Sequence, residues 1–91
     1  MLLSEQEIVE NLSSLDGWQQ SGLEIEKLYK FKNFIEAVGF VNKVAILAEK
    51  ADHHPDILIQ YSKVKINLST HSEGGLTEKD FKLANQIESV Q

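Results

Sequence analysis

The sequence predicts an α+β domain: a four-stranded antiparallel sheet with three helices on one face, in the order α-β-β-α-β-β-α. Three observations carry this. Val64, Ile66, Leu68 and Thr70 alternate with Lys63, Lys65, Asn67 and Ser69, a period-two pattern of a half-buried strand. Three helix starts are marked by capping chemistry. Two hairpin-like pairs of short apolar runs are separated by helical segments, which favours antiparallel pairing with helices gathered on one side.

The elements follow in order. Ser4 with Glu7 reads as a capping box, and Leu3 is placed to staple onto Ile8, so a helix runs through Ile8, Val9 and Leu12 to Ser13-Ser14. Asp16-Gly17 turns the chain, Trp18 begins a short strand, and Ser21-Gly22 turns it back. From Leu23 to Phe31, the residues Leu23, Ile25, Tyr29 and Phe31 share one face, interrupted by Lys27. Asn33 with Glu36 opens the longest helix, which reaches about Ala51. Its apolar face comprises Phe34, Ala37, Val38, Val41, Val44, Ala45 and Ala48, with Phe40 and Leu47 to the side. That arc is wider than one sheet contact needs, and Gly39 leaves room for a second backbone, so a partner helix from another copy is expected alongside the simpler reading of a well-buried helix. Ile57-Leu58-Ile59 is a short strand, the alternating stretch follows, and Thr77 with Asp80 caps a last helix with Phe81, Ala84, Ile87 and Val90 inward.

Composition narrows the function classes. The 91 residues amount to a single domain, residues 1–91, and 42% hydrophobic with 25% charged residues is the balance of a folding chain. The longest aliphatic run, Val44–Ala48, is far too short to span a bilayer. The N-terminus lacks the basic start and apolar stretch of a secretory signal. Without cysteine there is neither disulfide nor thiolate metal site, so a reducing compartment is permitted; the expected setting is cytoplasmic. A formal charge of −5, with dispersed basic residues, argues against nucleic acid and against anionic membranes as partners. A chain this short buries a modest share of its surface, so self-association is a natural way to gain more.

Candidate chemistry gathers at the histidines. His53 and His54 follow the long helix and His71 follows the best strand, all at element ends. Pro55 disfavours helical geometry at His54, so the adjacent rings can diverge. Imidazole moves protons in both directions near neutrality, and two rings on opposite sides of a substrate supply an acid and a base without a metal. Plainer readings stand beside this. A loop histidine is commonly just a surface residue, Asp80 suits the N3 position of a cap, and Asp52 and Asp56 suit solvated loop acids. Ser72-Glu73-Gly74-Gly75 reads as a flexible turn or as a row of N–H groups facing a ligand. A three-histidine metal site is disfavoured because His53 and His54 do not share a ligand-type helix face.

Glu49, His53-His54-Pro55, Tyr61, His71 and Asp80, with their spacing, resemble the signature of the pterin-4a-carbinolamine dehydratases. Leu68-Ser69-Thr70-His71, Gly74-Gly75-Leu76-Thr77 and the early Trp18 strengthen the likeness, which covers nearly the whole chain. The resemblance implies a metal-independent dehydratase, with no cofactor, that removes water from a 4a-hydroxytetrahydropterin to give the quinonoid dihydropterin. It also implies a homodimer or homotetramer, and a functional link to an aromatic amino acid hydroxylase. Carried over by position, His53 and His71 are the proton-transfer pair, with His54 holding the pterin and able to share the acid role. Glu49 or Asp52 would orient a histidine, Ser69, Thr70 and the backbone at Ser72 would bind the pterin's amide edge, and Asp80 would cap the last helix while supporting the site. Where the family often carries tryptophan, two positions after Pro55, this chain has Ile57, so no aromatic wall is expected there. The alternative function is a protein-interaction or dimerisation module on the same fold without activity.

Overall fold

A computed structural model describes residues 1–91. The elements are α1 (Glu5–Leu12), β1 (Gln19–Ser21), β2 (Glu24–Lys30), α2 (Phe34–Ala51), β3 (Asp56–Gln60), β4 (Lys63–Leu68), a 3-10 turn (His71–Glu73) and α3 (Glu78–Glu88). All strand pairs are antiparallel, in the spatial order β1-β2-β4-β3. This is the expected α+β architecture and element order. Trp18 does not open β1, however; it is a buried core residue one position before it.

Register sorts the two faces. Ile25 pairs with Leu68, Lys27 with Ile66 and Tyr29 with Val64, while Ile57 and Ile59 face Ile66 and Val64 from the other side. Because side chains alternate, these residues form the inner face, and all three helices pack on it through Ile8, Ala37, Phe40, Val44, Phe81, Leu83, Ala84 and Ile87. The outer face carries Glu26, Leu28, Lys30, Leu58, Lys65 and Asn67 and has no covering layer. Leu23 is exposed and does not join the inner-face set expected of it.

Capping chemistry explains where the helices begin. Ser4 Oγ accepts from the Glu7 amide while Glu7 accepts from the Ser4 amide. Thr77 and Asp80 close the equivalent box on α3. At α2, Asn33 accepts from the Glu36 amide, but Glu36 returns to the Lys32 amide, one residue beyond a regular box. The α2 stripe also differs from expectation. Phe40 is central, with its ring centroid 4.7 Å from Tyr29 and 5.0 Å from Phe31, whereas Phe34 and Ala45 are exposed. The aromatic rings of β2 and its following loop rotate the helix toward Phe40. An added Cβ at Gly39 would meet nothing within 4 Å, so no neighbouring backbone approaches it in this chain.

Lys27, the interruption in β2, has a partner. Its ammonium bonds Glu88 Oε2 at 2.8 Å and the Asp16 carbonyl at 2.7 Å, and the same Glu88 oxygen accepts from Trp18 Nε1 at 3.2 Å and from the Tyr29 hydroxyl. Burial alone would raise the Glu88 carboxyl, but these donors, Lys27 foremost, outweigh it and hold the group below the usual carboxylate range. Burial, and then Glu88 itself, push the Tyr29 phenol well above its ordinary range. A half-buried charge pair thus ties the end of α3 to the inner face of the sheet.

Candidate active site

Local structure delivers each histidine differently. α2 is capped by Asp52, whose left-handed conformation (φ 50°) turns the chain, and the His53 amide returns to the Ala48 carbonyl at 3.1 Å. This reversal sends the His53 ring inward, where 10% of the side chain is exposed, and leaves His54 outside at 57%. His54 Nε2 meets Glu49 Oε2 at 2.5 Å, one turn back on the surface of α2. His71 opens the 3-10 turn and is exposed. Its loop is closed at the base by the Thr70 amide donating to the Gly75 carbonyl at 2.9 Å, with Gly74 at φ 75° making the turn.

Below this surface lies a single hydrogen-bonded chain. Asp80 is fully buried; Oδ1 lies 2.6 Å from His53 Nε2, and Oδ2 accepts from Thr70 Oγ1 at 2.8 Å and from the Thr77 amide at 2.9 Å. The Thr70 and Thr77 hydroxyls are 2.8 Å apart, and Thr77 Oγ1 accepts from the Lys79 amide at 3.2 Å. The two hydroxyls point one way along this chain. Thr70 gives its only proton to Asp80, so Thr77 donates to Thr70, and a carboxylate holding these donors is an acceptor toward His53. With Asp80 ionised, His53 carries its proton on Nε2 and leaves Nδ1 free.

The expected site residues thus divide. His53, Thr70 and Asp80 are brought into one network, joined by Thr77, which the sequence marked as a cap and as part of a motif but not as a site residue. His54 and Glu49 form a separate, solvent-facing pair. Ser69 is buried with its hydroxyl given to the Leu23 carbonyl at 2.9 Å, and Asp52 and Ser72 are exposed. With no surface of its own, Asp80 reaches a ligand only through His53. Beside His53 opens a cavity of about 480 Å³ between α2 and α3, within the usual size range of small-molecule sites. No group of three or more His, Asp or Glu side chains is arranged to hold a metal ion.

Comparison with known proteins gives a consistent result. The family model for pterin 4 alpha carbinolamine dehydratase matches residues 1–90. A Sulfolobus acidocaldarius protein provisionally named pterin-4-alpha-carbinolamine dehydratase is 48% identical over 91 residues, 100% of both chains. A similarly named Nostoc protein is 52% identical over 89 residues, covering 98% of this chain and 96% of its own. Among solved structures, a transcriptional coactivator/pterin dehydratase from Brucella melitensis superposes with a TM-score of 0.95 at 42% identity, covering 99% of this chain and 98% of that one. A pterin dehydratase-like RuBisCO assembly factor of the alpha-carboxysome shares the fold, with a TM-score of 0.66 at 22% identity over 80% of this chain and 84% of its own.

Proposed function

The chain belongs to the pterin 4 alpha carbinolamine dehydratase family, and on that premise we propose that it eliminates water from a 4a-hydroxytetrahydropterin by histidine acid–base catalysis. The C4a–O bond breaks as the oxygen takes a proton from an imidazolium and leaves as water. The N5 proton passes to a neutral imidazole, and the electron pair of the N5–H bond forms the C4a=N5 double bond of the quinonoid dihydropterin. The reaction is redox-neutral and consumes no net proton.

The observation that carries this reading is the Asp80–His53 pair. A buried carboxylate on Nε2 fixes the tautomer, aims the ring and stabilises the imidazolium formed when Nδ1 accepts a proton, the arrangement that suits a general base. We assign His53 as the base toward N5 and exposed His71 as the acid toward the 4a-hydroxyl, with His54, oriented by Glu49, holding the pterin. Ser69, Thr70 and the backbone around Ser72 border the pterin's amide edge, and Asp52 sets the turn that aims His53. The test is dehydration of freshly prepared 4a-hydroxytetrahydropterin. His53→Ala and His71→Ala are each expected to lose about 10²–10⁴-fold in kcat; unchanged rates in both would remove the mechanism.

A homo-oligomer is the expected assembly, in a cytoplasmic setting alongside an aromatic amino acid hydroxylase that generates the substrate. The interaction-module reading draws on the exposed Phe34, Ile35 and Ile46 of α2. Turnover with intact histidines and loss without them separates the enzyme from that alternative.

A further inference from the structure

The nine basic residues of this acidic chain are all lysines, and three of them converge. Lys50 at the end of α2 and Lys79 and Lys82 on α3 line the cavity of about 480 Å³ that His53 walls. Lys27 and Lys65 hold carboxylates, but no carboxylate lies within ion-pair distance of these three. Lys50 in the last turn of α2 suits the helix dipole, whereas Lys79 in the first turn of α3 opposes it. Three unpaired cations around one concavity, on a molecule of net charge −5, form a local positive field that an anion relieves.

We propose that this cavity is a subsite for an anionic group, a phosphate or a carboxylate, on the side chain of the pterin substrate; the proposal rests on the dehydratase reading above. The covalent structure of the ring supports the placement. A 6-substituted pterin carries its tail on C6, bonded directly to N5, and N5 adjoins C4a. The residue that takes the N5 proton therefore lies beside the root of the tail. His53 has that position and also walls the cavity, so a ring against His53 directs its tail between the lysines. The apolar lining from Leu47 and Leu83 suits the stem of such a tail, and the ammonium groups suit its end.

The test is calorimetric titration with stable, oxidised pterins that share one side chain, left neutral, phosphorylated or carboxylated. At low ionic strength the phosphorylated form is expected to bind about tenfold more tightly than the neutral one, given three partly solvated ion pairs. That preference falls away in 1 M NaCl, where the Debye length is about 3 Å. It also collapses toward parity in Lys79→Gln/Lys82→Gln and survives in Lys63→Gln, on the sheet. Inorganic phosphate competes with the phosphorylated pterin more than with the neutral one. A larger preference for phosphate than for carboxylate identifies the dianion as the ligand; the reverse identifies the carboxylate. Equal affinity for neutral and anionic forms, absence of binding, or a preference that outlasts removal of the lysine charges overturns the proposal. Turnover of the neutral 4a-hydroxytetrahydropterin is measured separately: its failure strikes the dehydratase reading and leaves the binding preference to be judged on its own.

Discussion

At the residue scale, Asp80 does two jobs with two oxygens. Oδ2 closes the helix cap and Oδ1 holds His53, so one carboxylate couples the start of α3 to the site. Asp80→Asn replaces an acceptor with a group that is half donor, facing Thr70, the Thr77 amide or His53. We expect a stability loss of about 1–3 kcal/mol by urea unfolding, from buried groups left unpaired. We also expect kcat to fall at least tenfold more than KM changes, together with loss of the His53 Nε2 proton signature in imidazole nitrogen NMR. A merely structural role would leave that tautomer signature in the folded fraction. The candidate site was legible in the sequence only as residue types in an order, because caps and histidine spacing are local. The direction of the hydroxyl chain was not, since it depends on Thr70 and Thr77 meeting across a loop that only the folded backbone closes.

At the scale of elements, β2 and α3 are joined by a charged cluster that a strand pattern registers only as a fault. Lys27 broke the apolar face of β2, and nothing local to β2 pointed to Glu88 as its partner. Its titration has a definite sign. The folded-state Glu88 carboxyl sits below its ordinary value of 4.5, so its contribution is present above that value and is lost as pH falls through the depressed one. The Tyr29 phenol sits above its ordinary 10.0, so its contribution is present below pH 10 and is lost as pH rises beyond it. Urea midpoints against pH should therefore fall off on both sides of a plateau; Glu88→Gln flattens the acid limb and Tyr29→Phe the alkaline one. Phe40→Ala, in the aromatic cluster of α2, is expected to cost about 3–5 kcal/mol in the same assay. Periodicity placed α2 and the buried Ala37, Val44 and Ala48, but it put Phe34 and Ala45 inside the stripe and Phe40 beside it, because a wide apolar arc leaves the rotation to whichever rings β2 presents.

For the whole molecule, the one-sided architecture was legible because alternation in β4 and capping at three helices agree with each other. What lies outside the chain was not. Phe34 of the expected α2 arc is exposed at 58%, and so are Ile35 and Ile46, outside that arc, at 80% and 62%, with an open site at Gly39. If a second copy covers this face, Ile35→Glu/Ile46→Glu should convert the oligomer to a monomer in sedimentation equilibrium while the far-ultraviolet spectrum is retained. An unchanged mass would place the contact elsewhere. The two imidazoles proposed as base and acid also differ in how they are held, one clamped from behind by a carboxylate and one riding on a short loop in the solvent. On the proposed mechanism each cycle leaves the first with a proton gained and the second with one lost, so the enzyme must be recharged before it turns over again. The solvent-borne ring refills directly from water or buffer, whereas the clamped ring empties through Nδ1 only once product has left. Buffer concentration should then speed turnover when recharging limits it, through the catalyst's need to reset rather than through the chemistry of the bond.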